Sequence, residues 1–101
     1  MRRIINQKKY DTNTATKITF IEYLYPSDFH WFTEVLYRKK NGEFFLCGKG
    51  GPLSKYGEEY SNGQLSGGSA IIPLSLEDAK AWCEKVLNVD EYEEIFGEVE
   101  E

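Results

Sequence analysis

Asn41-Gly42 sits between two runs rich in aromatic and β-branched residues, WFTEVLYRKK before it and EFFLCGKGG after it. Asn and Gly tolerate the positive φ that a type I′ turn demands, so this dipeptide between apolar runs predicts a β-hairpin. With Asn41 and Gly42 as the two loop residues, Lys40 lies opposite Glu43, Tyr37 opposite Leu46 and Leu36 opposite Cys47. Glu34 then faces Lys49, a cross-strand ion pair of modest worth. Side chains alternate between faces. One face of the predicted hairpin carries Trp31, Thr33, Val35, Tyr37, Phe44 and Leu46; the other carries Phe32, Glu34, Leu36, Arg38, Phe45 and Cys47. The first places no acid beneath the sheet and is the expected core. The second is mixed, and only partial cover is expected there.

The rest of the chain supplies partners for that hairpin. Arg3-Ile4-Ile5 and Lys8-Lys9-Tyr10, around Asn6-Gln7, read as two short strands and a turn. Thr16 to Tyr25 is apolar on both faces in part, which predicts a central strand. Gly48 to Gly57 reads as a loop whose glycines supply positive φ, and Ser61 to Ser69 as a surface loop. Ala70-Ile71-Ile72 is a short strand stopped by Pro73. Ser75 to Asn88 carries the clearest helical pattern, with Ser75 as N-cap and Asp78 at the capping-box position. Ala79, Trp82, Cys83, Val86 and Leu87 fall on one face. A shorter helix is expected to start at Asp90, carry Tyr92, Ile95 and Phe96, and end at Gly97.

The 101 residues leave room for one core, and 15% aromatic content supplies large side chains to fill it. The expectation is one α+β domain over residues 1–101. It has a twisted antiparallel sheet of four to five strands, the first helix across one face, a second short helix, and an acidic terminal segment at 89–101. No apolar run approaches the ~20 residues of a membrane-spanning helix, and the start lacks a signal-peptide apolar region, so a cytoplasmic protein is expected. Cys47 and Cys83 are too few for a disulfide framework and are expected to be free.

Candidate chemistry is sparse. Gly48-Lys49-Gly50-Gly51 lacks the spacing, the Lys-Ser/Thr pair and the following helix of a phosphate loop, and no dinucleotide fingerprint is present. His30, Cys47 and Cys83 are potential zinc ligands, or a Cys-His pair, but no two have the spacing of a zinc knuckle. The chain thus predicts no catalytic constellation, no cofactor site and no metal site.

Charge is the stronger signal. Residues 1–55 hold ten Lys/Arg against five Asp/Glu; residues 56–101 hold two against twelve. Such asymmetry points to an electrostatic partner, or to halves that face one another. At the hairpin tip, Arg38, Lys39 and Lys40, with Lys8, Lys9 and Lys17 elsewhere, could grip phosphates while Tyr37 stacks on a base. Near the carboxyl end, Asp90, Glu91, Glu93, Glu94, Glu98, Glu100 and Glu101 occur with no Lys or Arg among them. A helix N-terminus favours the first three, but Glu94 and Glu98, four residues apart, repel. An acidic surface interleaved with Tyr92 and Phe96 could imitate nucleic-acid phosphate and dock in a basic groove. The candidate contacts are Asp90, Glu91, Tyr92, Glu94, Phe96 and Glu98, and a solvated tail is the plain alternative.

Three segments together carry a resemblance: KKYDTNTAT (Lys8–Thr16), LYRKKNGEFFLCGKGGPLSKYGEEY (Leu36–Tyr60) and GGSAIIPLSLEDAKAWCEK (Gly67–Lys85). The chain resembles, over nearly its whole length, a family of small proteins found in Gram-positive bacteria, their phages and their conjugative elements. Proteins in that genomic company include counter-defence factors. The resemblance therefore implies a non-enzymatic anti-CRISPR or antirestriction protein. Its expected partner is a bacterial defence protein, an RNA-guided nuclease above all, with a nucleic-acid-binding accessory protein as the alternative.

Overall fold

A computed structural model describes residues Met1–Glu101. The strands are β1 (Arg2–Ile5), β2 (Lys8–Asp11), β3 (Thr16–Tyr23), β4 (Phe32–Arg38), β5 (Phe44–Gly50), β6 (Glu58–Glu59), β7 (Leu65–Ser66) and β8 (Gly68–Leu74), followed by helices α1 (Leu76–Val86) and α2 (Val89–Phe96). The main sheet is antiparallel, in the order β3-β4-β5-β8; β1-β2 and β6-β7 form separate two-stranded ladders. The architecture is α+β, as expected.

The β4–β5 register differs by one residue from the expected one. Leu36 pairs with Leu46, Tyr37 with Phe45 and Arg38 with Phe44. The cause is local. Lys39 N–H donates to Glu43 O (2.8 Å), and Gly42 N–H donates to Lys39 O (2.9 Å), so the loop has three residues. Gly42 alone adopts positive φ, at +93°. Asn41 instead uses its side-chain oxygen to accept the Glu43 N–H (3.0 Å), an Asx turn that competes with the type I′ conformation. The type I′ geometry is met elsewhere, at Asn6-Gln7, where φ is 50° and 66°.

The shift reassigns the faces. Phe44 and Leu46 join Leu36 on the side of Glu34, and the buried cluster there is completed by Ala79 and Cys83 of α1. The expected core face was therefore right for Phe44 and Leu46 and wrong for β4, whose Leu36 faces that core in place of Val35 and Tyr37. Phe45 turns to the opposite face and meets Tyr10 and Ile71 beneath the β1-β2 hairpin. Tyr10 contacts its ring edge-on at 5.4 Å and Tyr37 stacks on it at 5.2 Å. The sheet is thus covered on both sides, by helices on one and by the amino-terminal hairpin on the other. Adjacent Phe44 and Phe45 are 3% and 0% exposed, which a sheet with one bare face would not permit.

Three further expectations are corrected. β3 is an edge strand, not a central one; Ile18 reaches the core, but Phe20 and Tyr23 are half exposed. Pro73 lies within β8 and does not stop it. Phe45 directs its backbone groups to Tyr37, so Pro73 opposite it turns its nitrogen to the open edge, where no ladder N–H is needed. Gly48 and Gly50 are strand residues without positive φ. A Cβ at Gly48 would overlap the Tyr56 ring, so close packing is what requires that glycine.

Ser75 caps α1, its hydroxyl accepting the Asp78 N–H at 3.0 Å. The second cap is Asn88 and not Asp90. Asn88 and Glu91 form a reciprocal capping box at 2.9 and 3.1 Å, and Asp90 falls in the first turn.

Phe44→Ala and Phe45→Ala are each expected to lower stability by about 3–5 kcal/mol in denaturant titrations, because each deletes a buried ring from a different layer. A loss below about 1 kcal/mol at either position would contradict the two-sided core.

Candidate functional site

The acidic end is built by α2 and the residues after it. Its rings turn inward. Phe96 packs against Phe44 (5.5 Å between centroids) and Tyr92 against Phe96 (4.9 Å), both bordering the cluster under α1. Tyr92 and Phe96 therefore do not interleave with the acids on an outer surface, because α2 needs them to anchor it. Burial, and then the neighbouring Glu84, push the Tyr92 hydroxyl pKa up.

Asp90, Glu91, Glu94, Glu98, Glu100 and Glu101 are exposed. None of the seven acids from 90 to 101 forms an ion pair; the salt bridges of the molecule are Arg2–Asp11, Lys8–Glu43, Lys39–Glu43, Lys55–Glu34 and His30–Asp28. Glu91 serves the capping box, and Glu93 accepts the Val99 N–H at 2.6 Å, which holds the terminal segment against α2. Glu91 and Glu94 border a shallow depression of about 380 Å³ that Lys17 and Arg38 also line. Glu93, Glu98, Glu100 and Glu101 surround a second depression with the exposed Val89 and Val99.

The basic hairpin tip is less of a unit. Tyr37 is stacked on Phe45 under the amino-terminal hairpin and is not free to hold a base. Lys39 sets its ammonium 3.6 Å from the Tyr10 ring centroid and 3.4 Å from a Glu43 oxygen, leaving its side chain 15% exposed. Arg38 lies on the other face, over the Phe44 ring at 5.1 Å. Only Lys40 of the four candidates is unengaged and exposed. Lys8, Lys9, Lys39 and Lys40 do converge with Asp11, Thr14, Asn41 and Glu43 around an open polar depression of about 570 Å³. Glu43 partly neutralises it: the hydrogen bond from Lys8 at 2.7 Å, then the one from Asn41, hold its carboxyl at about 2.

His30, Cys47 and Cys83 are not brought together. Cys83 is buried on the inner face of α1, Cys47 approaches the Met1 sulfur (3.8 Å), and His30 contacts Asp28 (3.2 Å). No group of three or more His, Cys, Asp or Glu is arranged to hold a metal ion.

Sequence reasoning missed the best-organised polar cluster. Glu34, 3% exposed, lies beneath α1. It accepts the Tyr56 hydroxyl and the Trp82 indole N–H (3.2 Å), and pairs with Lys55 (3.1 Å). Lys49, its expected partner, points to the opposite face because Glu34 faces Gly48. Burial pushes the Glu34 carboxyl up, but the Tyr56, Trp82 and Lys55 contacts together outweigh it, and its pKa lies below the usual 4.5. The Tyr56 hydroxyl is pushed up, by burial and by that carboxylate. Every buried polar side-chain atom has a partner, and of the cluster Lys55 reaches solvent, its side chain 54% exposed.

Compared with family models, curated proteins and solved structures, the chain matches none. No helix is long and apolar enough to cross a membrane.

Because the folded state holds Glu34 below its ordinary value, its contribution to stability is complete above about pH 4.5 and is lost as pH falls through the folded pKa. Glu34→Gln is expected to flatten the fall of unfolding free energy below that pH relative to the wild type. Equal slopes for the two proteins would contradict the assignment. Tyr56→Phe, which removes one hydrogen bond to a buried charge, is expected to cost about 1–3 kcal/mol in denaturant unfolding.

Proposed function

We propose that this protein is a non-enzymatic inhibitor whose acidic carboxyl-terminal face docks on a basic, nucleic-acid-handling groove of a bacterial defence protein and blocks it. The observation that carries this reading is that most of those acids have no bonded partner within the chain. Asp90, Glu94, Glu98, Glu100 and Glu101 have neither an ion pair nor a hydrogen bond within the chain, although the same molecule places ten cations in its first 55 residues. Asp90 and Glu94, like charges four residues apart within α2, weaken the helix, and a cationic partner would reverse the sign of that term; Glu98 lies beyond the Gly97 cap. The capping box and the inward rings hold α2 in place, so the face is pre-organised and loses little freedom on docking. The resemblance to small phage and mobile-element proteins supplies the target class, an RNA-guided nuclease in the bacterial cytoplasm.

The alternative, nucleic-acid binding by the hairpin tip, has less behind it. Tyr37 and Lys39 are occupied within the fold, and Glu43 offsets the lysines around the polar depression.

Glu91 serves as a cap, so the informative charge reversal is Glu94→Lys with Glu98→Lys. With a purified guide-loaded CRISPR nuclease, this double variant is expected to bind at least about tenfold more weakly, with thermal stability unchanged or slightly raised. Wild-type and variant proteins binding alike would exclude the acidic face as the docking surface.

A further inference from the structure

The two edges of the main sheet are not alike. At β8, Pro73 removes a backbone donor from the open side. β3 carries no proline over its eight residues, and Phe20 and Tyr23 are 50% and 51% exposed along it. An edge without proline that exposes apolar side chains is a template for another strand.

The pairing of β3 with β4 shows which groups face outward. Lys39–Glu43 is a hydrogen-bonded pair, so in strict alternation Arg38, Leu36 and Glu34 direct their backbone groups toward β3. Their partners there are Thr16, Thr19 and Ile21. Lys17, Phe20 and Glu22 consequently turn N–H and C=O to the open edge. Their side chains share one face, that of Tyr37, Val35 and Thr33. The bulge between Lys17 and Thr19 is responsible: without it Lys17 and Glu22, five residues apart, would fall on opposite faces. The Lys17 ammonium lies 4.7 Å from the Phe20 ring centroid, and neither Lys17 nor Glu22 has an ion pair.

We infer that the β3 edge takes a second copy of this chain, antiparallel, about a two-fold axis at Phe20. In that register Phe20 meets its own counterpart, the bulged Ile18-Thr19 faces Ile21, and Lys17 faces Glu22 twice over. The other two-folds fit less well. An axis at Lys17 or Glu22 opposes like charges, and one at Ile21 sets Phe20 against Glu22 and leaves Lys17 beyond the ladder. The charge complementarity selects a second copy of this strand over an unrelated one, and the pairing joins two four-stranded sheets into one of eight. This inference is independent of the acidic-face reading.

Sedimentation velocity over about 1 µM to 1 mM, with circular dichroism as a control on folding, tests it. The wild type is expected to pass from monomer to dimer in that range. Lys17→Glu, which places an acid against Glu22 at both ends of the ladder, is expected to weaken the dimer about tenfold or more. Adding Glu22→Lys to it restores opposite charges and is expected to return the dissociation constant to within about threefold of the wild type. A wild type that stays monomeric throughout would overturn the inference. So would a dimer indifferent to Lys17→Glu, or a double variant no tighter than the single one.

Discussion

Three residues, Lys40, Asn41 and Gly42, set the pairing of β4 with β5, and the rest of the structure depends on that pairing. Only Gly42 in the loop takes positive φ, so the strands meet one position away from where a two-residue turn would put them. A slip of one residue exchanges the faces of an entire strand. Here it gathers Leu36, Phe44 and Leu46 into one layer for Ala79 and Cys83 to cover, and sends Phe45 to the other side for Tyr10 and Ile71. Both helices and the amino-terminal hairpin therefore take their places from one turn.

The same register places a carboxylate where a core would ordinarily exclude one. Burying Glu34 is unfavourable unless its oxygens are matched, and they are matched from two elements distant in sequence: Trp82 of α1, and Tyr56 and Lys55 of the loop after β5. The cluster ties helix, sheet and loop into one arrangement, and Gly48 leaves the space in which the Tyr56 ring lies. The molecule thus satisfies its buried charge completely while its terminal acids form no ion pair. The proposed docking role of the acidic face rests on that contrast.

Much of this was legible in the chain. The α+β class, the hairpin, the Ser75 cap and the inward stripe of α1 followed from period and capping chemistry. What failed did so where two local rules competed. Asn41 could supply either a left-handed backbone or an Asx side-chain bond, and it took the second. β3 looked like a central strand because both its faces are apolar in part, yet of these residues Ile18 packs on the core while Phe20 and Tyr23 stay half exposed at an edge. Tyr92 and Phe96 lie among acids in the sequence yet anchor α2, since a short helix needs every ring it has against the core. Asn88 with Glu91 three residues on was a capping box available to sequence reading, and the adjacent Asp90 obscured it. The Glu34 cluster had no local signal at all, because its members are separated by 22 and 48 residues.

The two-layer core and the Glu34 cluster follow from the β4–β5 register, and two-dimensional NMR reads that register directly. Non-hydrogen-bonded antiparallel pairs bring opposing Hα atoms close. Strong cross-strand Hα–Hα contacts are predicted for Arg38–Phe44, Leu36–Leu46 and Glu34–Gly48. Strong Hα–Hα contacts between Lys39 and Phe44, or between Tyr37 and Leu46, the non-hydrogen-bonded pairs of a two-residue turn, would contradict the account.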